Sequence, residues 1–223
     1  MRLPAKIASF VADYSYAGYW TVRHLFGGTN TTQYQGGSGL PVLVLPGVFE
    51  TWQFMRPIAE RLHALGHPVH VVPGFGHNRG TIPEMAALAN HYVETNKLEQ
   101  VTIVAHSKGG LIGKHMMGVN DRDARISALI AINSPFGGSS YARFARSREL
   151  REFLPAADVI RLLSADEATN SRITSIYSEF DPVIPNGSFL IGARNVQLKM
   201  GGHFRVLAAE RVFDEVIRAI HDA

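Results

Sequence analysis

Cysteine is absent from this chain of 223 residues, which excludes disulfides, thiolate catalysis and cysteine-ligated metal sites. Apolar runs are too short to cross a bilayer, which takes about 20 residues in a row. Dense Lys/Arg runs are missing and the net charge is only +3, so the sequence has no nucleic-acid footprint. A clear secretion signal is missing too, because Asp13 interrupts the first apolar stretch and no small-residue cleavage site follows. We expect a cytoplasmic protein, with secretion left open.

The residues that are present favour one globular domain with a sizeable core. Hydrophobic residues make up 46% of the chain and charged residues 18%, which is ordinary for a folded domain. Short apolar runs alternate with helical patterns, and strands that are apolar throughout are buried on both faces. We therefore predict an α/β fold, with a mostly parallel sheet of about six strands covered by helices on both sides. The predicted strands are 42–45, 69–72, 101–105, 126–132, 173–177 and 196–200.

Two segments stand apart from this alternation. Residues 1–40 are predicted to form a helix over 5–26 and a glycine-rich loop, which leaves 41–223 as the main domain. Residues 135–172 join two predicted strands and are too long for a simple crossover. They form either a small cap over an active site or a crossover helix with an irregular loop. The apolar residues of the first helix that lie on or beside one face are Ile7, Phe10, Val11, Tyr14, Tyr19 and Val22.

The most informative segment is 101–110, where an apolar β-branched run ends at Ala105 and a helix-compatible stretch begins after Ser107. Small residues stand two positions before the serine, at Ala105, and two positions after it, at Gly109. This is the pattern of a nucleophile elbow, a turn so tight that only small side chains fit on either side of the exposed hydroxyl. Ser107 is the predicted nucleophile.

A serine hydroxyl needs a base to remove its proton, and the base needs a carboxylate to orient it. In hydrolases built from alternating strands and helices, these residues follow in the order serine, acid, histidine, each after a strand. Asp181 and His203 occupy those places, because each follows one of the last two predicted strands. Glu179 is the rival acid, and the main rival bases are His63, His106, His115 and His221.

An oxyanion hole needs two backbone N–H groups that point at the developing negative charge. Lys108, directly after the nucleophile, supplies one donor, and Val48, in the loop after the first predicted strand, supplies the other. Phe49, Trp52 and Phe75 are candidates for an acyl pocket, with a place in the core as the alternative for each.

Motifs for cofactors and metals fail on spacing. The glycines of 74–80 follow the second predicted strand at the wrong intervals for a dinucleotide loop. His63, His67 and His70 lie close in sequence, but Gly66 and Pro68 prevent a shared helical face. We expect no cofactor and no catalytic metal.

With these residues in hand, the chain resembles the α/β-hydrolase superfamily, and within it small bacterial lipases and esterases, from about Pro41 onwards. This resemblance implies the α/β-hydrolase fold, with residues 135–172 as a short insertion between the sixth and seventh strands in the family's count. Two positions depart from the pattern: Pro46 stands before Gly47 where lipases usually have histidine, and Ala105 begins the elbow. The first forty residues have no counterpart in it. The segments that carry the resemblance are 46–48, 105–110, 133–139, 174–181 and 202–204.

These observations lead us to expect a serine hydrolase that cleaves carboxylic esters with lipid-like or other hydrophobic acyl groups. The expected partner is a small-molecule ester, with contact between the N-terminal helix and a lipid surface as a further expectation. An acyltransferase or a thioesterase would use the same three residues. A binding protein without activity on a hydrolase fold is the alternative from a different class. The sequence leaves the oligomeric state open.

Overall fold

A computed structural model describes residues 3–26 and 30–222 of the chain, so part of the predicted loop at 27–39 lies outside the described residues. Six strands form one sheet with the spatial order β2-β1-β3-β4-β5-β6, and every neighbouring pair is parallel. This confirms the predicted fold class. The strands are β1 (Val42–Leu45), β2 (Val69–Val71), β3 (Val101–His106), β4 (Ile126–Ile132), β5 (Ile173–Phe180) and β6 (Arg194–Gly201).

Helices cover both faces of the sheet because successive side chains of each strand point to opposite sides. In β1, Leu43 and Leu45 join the core on one side, while Val42 and Val44 join the core on the other. None of the helices within residues 3–26 and 30–222 has the length and apolar character to cross a membrane. The helices are α1 (Leu3–Phe26), α2 (Arg56–Ala64), α3 (Ile82–Thr95), α4 (Lys108–His115), α5 (Arg148–Arg151), α6 (Asp158–Ala165) and α7 (Glu210–His221).

The first helix packs on the body of the protein through a face that its apolar pattern does not indicate. Among the residues of this helix whose burial the structure describes, the buried ones are Ser9, Asp13 and Trp20. The polar side chains among them find partners in the body, so their burial is compensated. The apolar residues that the sequence groups on one face, Ile7, Phe10, Val11, Tyr14, Tyr19 and Val22, lie exposed instead.

The segment 135–172 lies between β4 and β5, the fourth and fifth of the six strands described here. Its second half packs as a crossover, since Ile160 and Leu163 of α6 belong to the main core. Its first half contains a short helical turn, Ser140–Phe144, and α5. Tyr141, Leu150 and other residues of this half line a cavity at the carboxyl ends of the strands.

Candidate active site

Ser107 lies in a strained turn between β3 and α4, with φ 50° and ψ −118°. Such a conformation is rare for a residue with a side chain and persists where the surrounding structure enforces it. The close packing of this turn accounts for the two glycines after it. A Cβ on Gly109 would lie 2.2 Å from the carbonyl oxygen of Leu45, and one on Gly110 would lie 2.1 Å from the Ser134 hydroxyl.

The structure brings the three predicted catalytic residues together. His203 Nε2 lies 3.0 Å from Ser107 Oγ, and His203 Nδ1 lies 2.7 Å from Asp181 Oδ2. Ser107 and His203 are only 6% and 2% exposed, so the hydrogen bond between them is shielded from bulk water. The arrangement can move a proton from the serine hydroxyl to the imidazole, with a carboxylate beside the charge that forms. The rival acid Glu179 is exposed.

Asp181 is held in place by the loop that follows β5. Its second oxygen, Oδ1, accepts hydrogen bonds from the backbone N–H groups of Val183 at 2.8 Å and Ile184 at 3.0 Å. An aspartate that accepts bonds from the residues just after it forms a local turn, so the carboxylate orientation is built into the loop. The oxygen that remains, Oδ2, is the one that contacts the imidazole.

The residues that carry the predicted oxyanion donors both lie near the nucleophile. Val48 lines two cavities together with Ser107, and Lys108 is the first residue of α4. The N–H groups at a helix start have no partner within the helix, and the helix dipole favours negative charge there. The loop that carries Val48 is tightly packed, since a Cβ on Gly47 would lie 2.6 Å from Glu50 Oε1.

A buried ion pair below the site escaped the sequence reasoning, which treated His106 only as a rival base. His106 Nδ1 donates to the Glu50 carboxylate at 2.9 Å, and Nε2 donates to the backbone carbonyl of His203 at 2.9 Å. Burial opposes the imidazolium charge, but Glu50 and the carbonyl together raise the pKa of His106 above its ordinary value. Glu50 also accepts from the N–H of Gly47 at 2.7 Å. The pair thus links the loop that carries Val48, here called the oxyanion loop, to the loop that carries His203.

The side chain of Lys108 makes contacts of its own, apart from the backbone N–H group that is the predicted oxyanion donor. It is fully buried, and its Nζ donates to the carbonyl oxygens of Asn78, at 3.2 Å, and Gly80. Burial lowers the pKa of this ammonium group. Asn78 in turn donates from Nδ2 to the carbonyl of Pro46 at 2.8 Å. These bonds connect the start of α4 to the oxyanion loop.

Two further residues hold the loop of His203, and neither was singled out from the sequence. Asn133 follows β4 and donates from Nδ2 to the carbonyls of Gly202 at 3.0 Å and His203 at 3.2 Å. Asp13 of α1 accepts three hydrogen bonds from the backbone of the same loop. The sequence showed Asp13 only as a break in an apolar stretch and Asn133 only as part of the segment 133–139, because the partners of both residues lie far away along the chain.

Two cavities meet at Ser107. One, of about 240 Å³, is enclosed mainly by apolar side chains that include Leu150, Phe153 and Ile184. The other, of about 290 Å³, also contains His203 and is lined on one side by Tyr14 and neighbouring residues of α1.

Of the three predicted pocket aromatics, only Phe49 lies at these cavities. Trp52 and Phe75 line a separate cavity of about 330 Å³, together with residues 71–74. The expectation that these two line the acyl pocket is therefore wrong. The chain turns after Glu50 into a short helix, Trp52–Met55, which carries Trp52 away from the nucleophile.

Glu50, His106 and His203 each place one ligand-type atom within 4.8 Å of the others. The ring nitrogens of the two histidines already take part in hydrogen bonds. His203 uses Nδ1 for Asp181 and Nε2 for Ser107, and His106 uses its two nitrogens for Glu50 and a carbonyl. The donor set is that of a hydrogen-bonded network around a serine nucleophile.

Solved structures resemble this chain in fold at low sequence identity. A lipase of Bacillus licheniformis in its mature form has a TM-score of 0.65 at 13% identity, over 83% of this chain and 92% of the lipase. For an extracellular α/β-hydrolase of a Paenibacillus species, the TM-score is 0.56 at 17% identity, over 81% of this chain and 98% of that hydrolase. An enol-lactonase of Burkholderia xenovorans has a TM-score of 0.58 at 16% identity, over 84% of this chain and 93% of the lactonase. The sequence matches no protein-family profile and no curated protein. The chain has the α/β-hydrolase fold.

Proposed function

We propose that this protein is a serine hydrolase of carboxylic esters with Ser107 as its nucleophile. One observation carries the proposal: an unbroken hydrogen-bonded chain from Ser107 Oγ through the imidazole of His203 to Asp181. Its members sit on three separate loops after β3, β5 and β6, so their convergence is a property of the tertiary structure. A serine with a base and an orienting acid is the constellation of acyl transfer.

The mechanism follows from this geometry. His203 Nε2 takes the proton of Ser107 as Oγ attacks the ester carbonyl carbon, and Asp181 stabilises the imidazolium. The N–H groups of Val48 and Lys108 donate to the oxyanion of the tetrahedral intermediate. His203 then protonates the departing alcohol, which leaves an acyl-enzyme. A water molecule, deprotonated by His203, attacks that carbonyl, and the acid departs as Ser107 regains its proton.

Hydrophobic acyl groups suit the cavity of about 240 Å³ that lies on the insertion side of Ser107. Its walls include Val48, Leu150, Phe153 and Ile184, and burial of an acyl chain there removes apolar surface from water. The second cavity contains His203, the group that protonates the leaving oxygen, so we assign the alcohol part of the substrate to it.

The test is turnover of p-nitrophenyl esters of increasing acyl length by the wild type and Ser107→Ala. The variant is expected to lose on the order of 10⁴-fold or more in kcat while keeping its fold. A fluorophosphonate probe should label the wild type at Ser107 alone. Labelling at another serine, or undiminished turnover by the variant, contradicts the assignment. A wild type that binds esters without turnover or labelling supports the alternative of an inactive binding protein.

Acyltransferase or thioesterase activity would use the same three residues, so the acyl acceptor has to be tested separately. Turnover in the presence of added alcohol separates transfer from hydrolysis, because transfer yields a new ester at the expense of the free acid. A thioester and its oxygen ester with the same acyl group, compared by kcat/KM, separate the thioesterase from the esterase.

Contact with a lipid surface is part of the proposal, because the exposed apolar residues of α1 lie beside the site. Ile7 and Val11 are 58% and 60% exposed, while Tyr14 of the same helix lines both cavities at Ser107. An apolar helix face next to a pocket can rest in the interfacial region of a bilayer. The double variant Ile7→Ser/Val11→Ser should sediment less with phosphatidylcholine vesicles than the wild type. Leu65→Ser/Val119→Ser, which alters exposed residues elsewhere, is the control.

A further inference from the structure

Asp13 is a fully buried carboxylate on α1, in the part of the chain that the fold resemblance left without a role. It lies 190 residues before His203 in sequence, and its Oδ2 accepts from the backbone N–H of His203 at 2.8 Å. Its Oδ1 accepts from the N–H groups of Phe204 at 2.7 Å and Arg205 at 2.9 Å. Three successive N–H groups that converge on one carboxylate form an anion-binding nest.

The loop needs such an acceptor because its own sequence provides none. Residues 203–205 lead into a short helical turn, Arg205–Ala208, and the residue at its start, Phe204, makes no side-chain capping bond. Unpaired N–H groups at a helix start cost free energy when they are buried. Asp13 therefore acts as the cap of this turn from a different element, and a charged acceptor makes these bonds stronger than neutral ones.

Gly202 shows how closely α1 approaches the loop. Its φ of +118° belongs to a region that side chains rarely adopt, and a Cβ there would lie 2.7 Å from Asp13 Oδ1. The next residue along the loop is His203, so the carboxylate binds the main chain of the residue that carries the imidazole. Arg205 adds a second link, since its guanidinium donates to Gly201 O at 3.0 Å and contacts Ser9 Oγ at 3.5 Å.

We propose that Asp13 is a positioning residue for His203, and that α1 is thereby a working part of the active site. The proposal rests on the proposed function, since it assigns Asp13 the task of holding the catalytic base. Asp13 touches only backbone groups of the loop, and it holds the imidazole at 3.0 Å from Ser107 and 2.7 Å from Asp181 by fixing the main chain beneath it. A displacement of about 1 Å at such a group can cost about 10²-fold in rate.

The test compares Asp13→Asn and Asp13→Ala with Trp20→Ala in the full-length protein. Asparagine keeps one acceptor oxygen but turns an amide towards one of the N–H donors, so it should weaken the nest in part. Alanine should abolish it. Trp20 is a buried residue of α1 that packs in the same core cluster as Val206 and Leu207 and is not one of the groups that bond the loop of His203, so Trp20→Ala removes packing of the helix while it leaves the Asp13 carboxylate in place.

We expect kcat and the rate of fluorophosphonate labelling to fall in the order wild type, Asp13→Asn, Asp13→Ala, with a loss of about 10²-fold for alanine. KM should change little, because the walls of both cavities remain. Trp20→Ala should lower the denaturation midpoint yet keep kcat near that of the wild type. All rates are measured well below the melting temperature of each variant.

Three outcomes would overturn the proposal. The first is a folded Asp13→Asn with wild-type kcat, and the second is a loss in Trp20→Ala equal to that in the Asp13 variants. The third is failure of both Asp13 variants to fold when Trp20→Ala folds, which would assign Asp13 to stability alone. The NMR signal of the His203 Nδ1 proton separates this idea from the proposed function. Even if the wild type proves inactive, an unchanged signal in Asp13→Asn would refute the positioning role.

Discussion

At the scale of single residues, the site consists of a few strained or buried groups. Specific partners offset the free energy that the strain or the burial costs. Ser107 has a positive φ, and its turn is closed by glycines that leave no room for a Cβ. His106 holds a buried charge against Glu50, and its second nitrogen donates to the backbone beside the base. Such groups are stable only while every partner is present, so single substitutions here have predictable effects.

Asp181→Asn should reduce kcat by roughly 10⁴-fold, because the amide cannot stabilise the imidazolium and favours the wrong tautomer of His203. Glu179→Gln, two residues away on an exposed side chain, is the matched control and should change activity and stability little. Steady-state kinetics on one ester compares the two. If the Glu179 variant is crippled and the Asp181 variant is active, the acid has been assigned to the wrong residue.

The raised pKa of His106 predicts how stability depends on pH. A histidine whose folded pKa lies above its unfolded value of about 6.5 stabilises the fold fully below that value. The contribution is then lost as the pH rises through the folded pKa. We expect the free energy of unfolding in urea to decline over that range for the wild type, and His106→Gln to flatten the decline.

His91→Gln, which changes an exposed histidine on α3, is the control for this measurement and should leave the slope as it is. A wild-type slope that survives in His106→Gln would show that another group produces it.

At the scale of elements, the proposed catalytic residues lie on loops after parallel strands, and the long connection between β4 and β5 contributes walls to the cavity at Ser107. The residues of α6 pack into the core, and residues before it line the cavity at Ser107, where Ala142 and Phe153 belong to the core as well. An element that serves core and cavity together couples stability to substrate choice.

Phe153 belongs to both the core and the cavity, and the exposed Phe144 is its matched control. Phe153 is 7% exposed and lines the cavity at Ser107, whereas Phe144 is 71% exposed. Phe153→Ala should cost about 3–5 kcal/mol of stability and shift the preferred acyl length upwards, because the cavity enlarges. Phe144→Ala should change neither. Urea unfolding and kcat/KM across the p-nitrophenyl series measure both effects. An unchanged preference in a folded Phe153→Ala would remove this side chain from the acyl site.

At the scale of the whole molecule, the parallel sheet and the helix α1 together bring residues from distant parts of the chain to one site. Asp13, Ser107, Asp181 and His203 meet there although 190 residues separate the first from the last. In the proposed reaction, positive charge develops on the imidazole of His203, and negative charge develops on an oxygen that faces backbone amides. Apart from the attacking water, every catalytic group of the proposed reaction comes from the polypeptide.

Metal removal should therefore leave the activity intact. Incubation with EDTA followed by gel filtration should change neither kcat nor the circular dichroism spectrum, because the proposed nucleophile and oxyanion donors are a serine and backbone amides. Re-addition of Zn²⁺, Mg²⁺ or Ca²⁺ to the treated protein is the control. Activity that is lost with the fold intact and restored by one of these ions would contradict a mechanism without metal.

The sequence by itself determined those features whose physics is local. The elbow around Ser107, the acid in a turn before Pro182 and the alternation of buried strands with helices each depend on residues within a few positions of one another. The tertiary structure alone decided which distant groups support them. Periodicity groups the apolar residues of α1 correctly, but the helix turns that face outward because Asp13 finds three N–H donors in the body. Pocket walls such as Phe153, and the failure of Trp52 and Phe75 to reach the site, likewise depend on how packed elements meet, which no local pattern records.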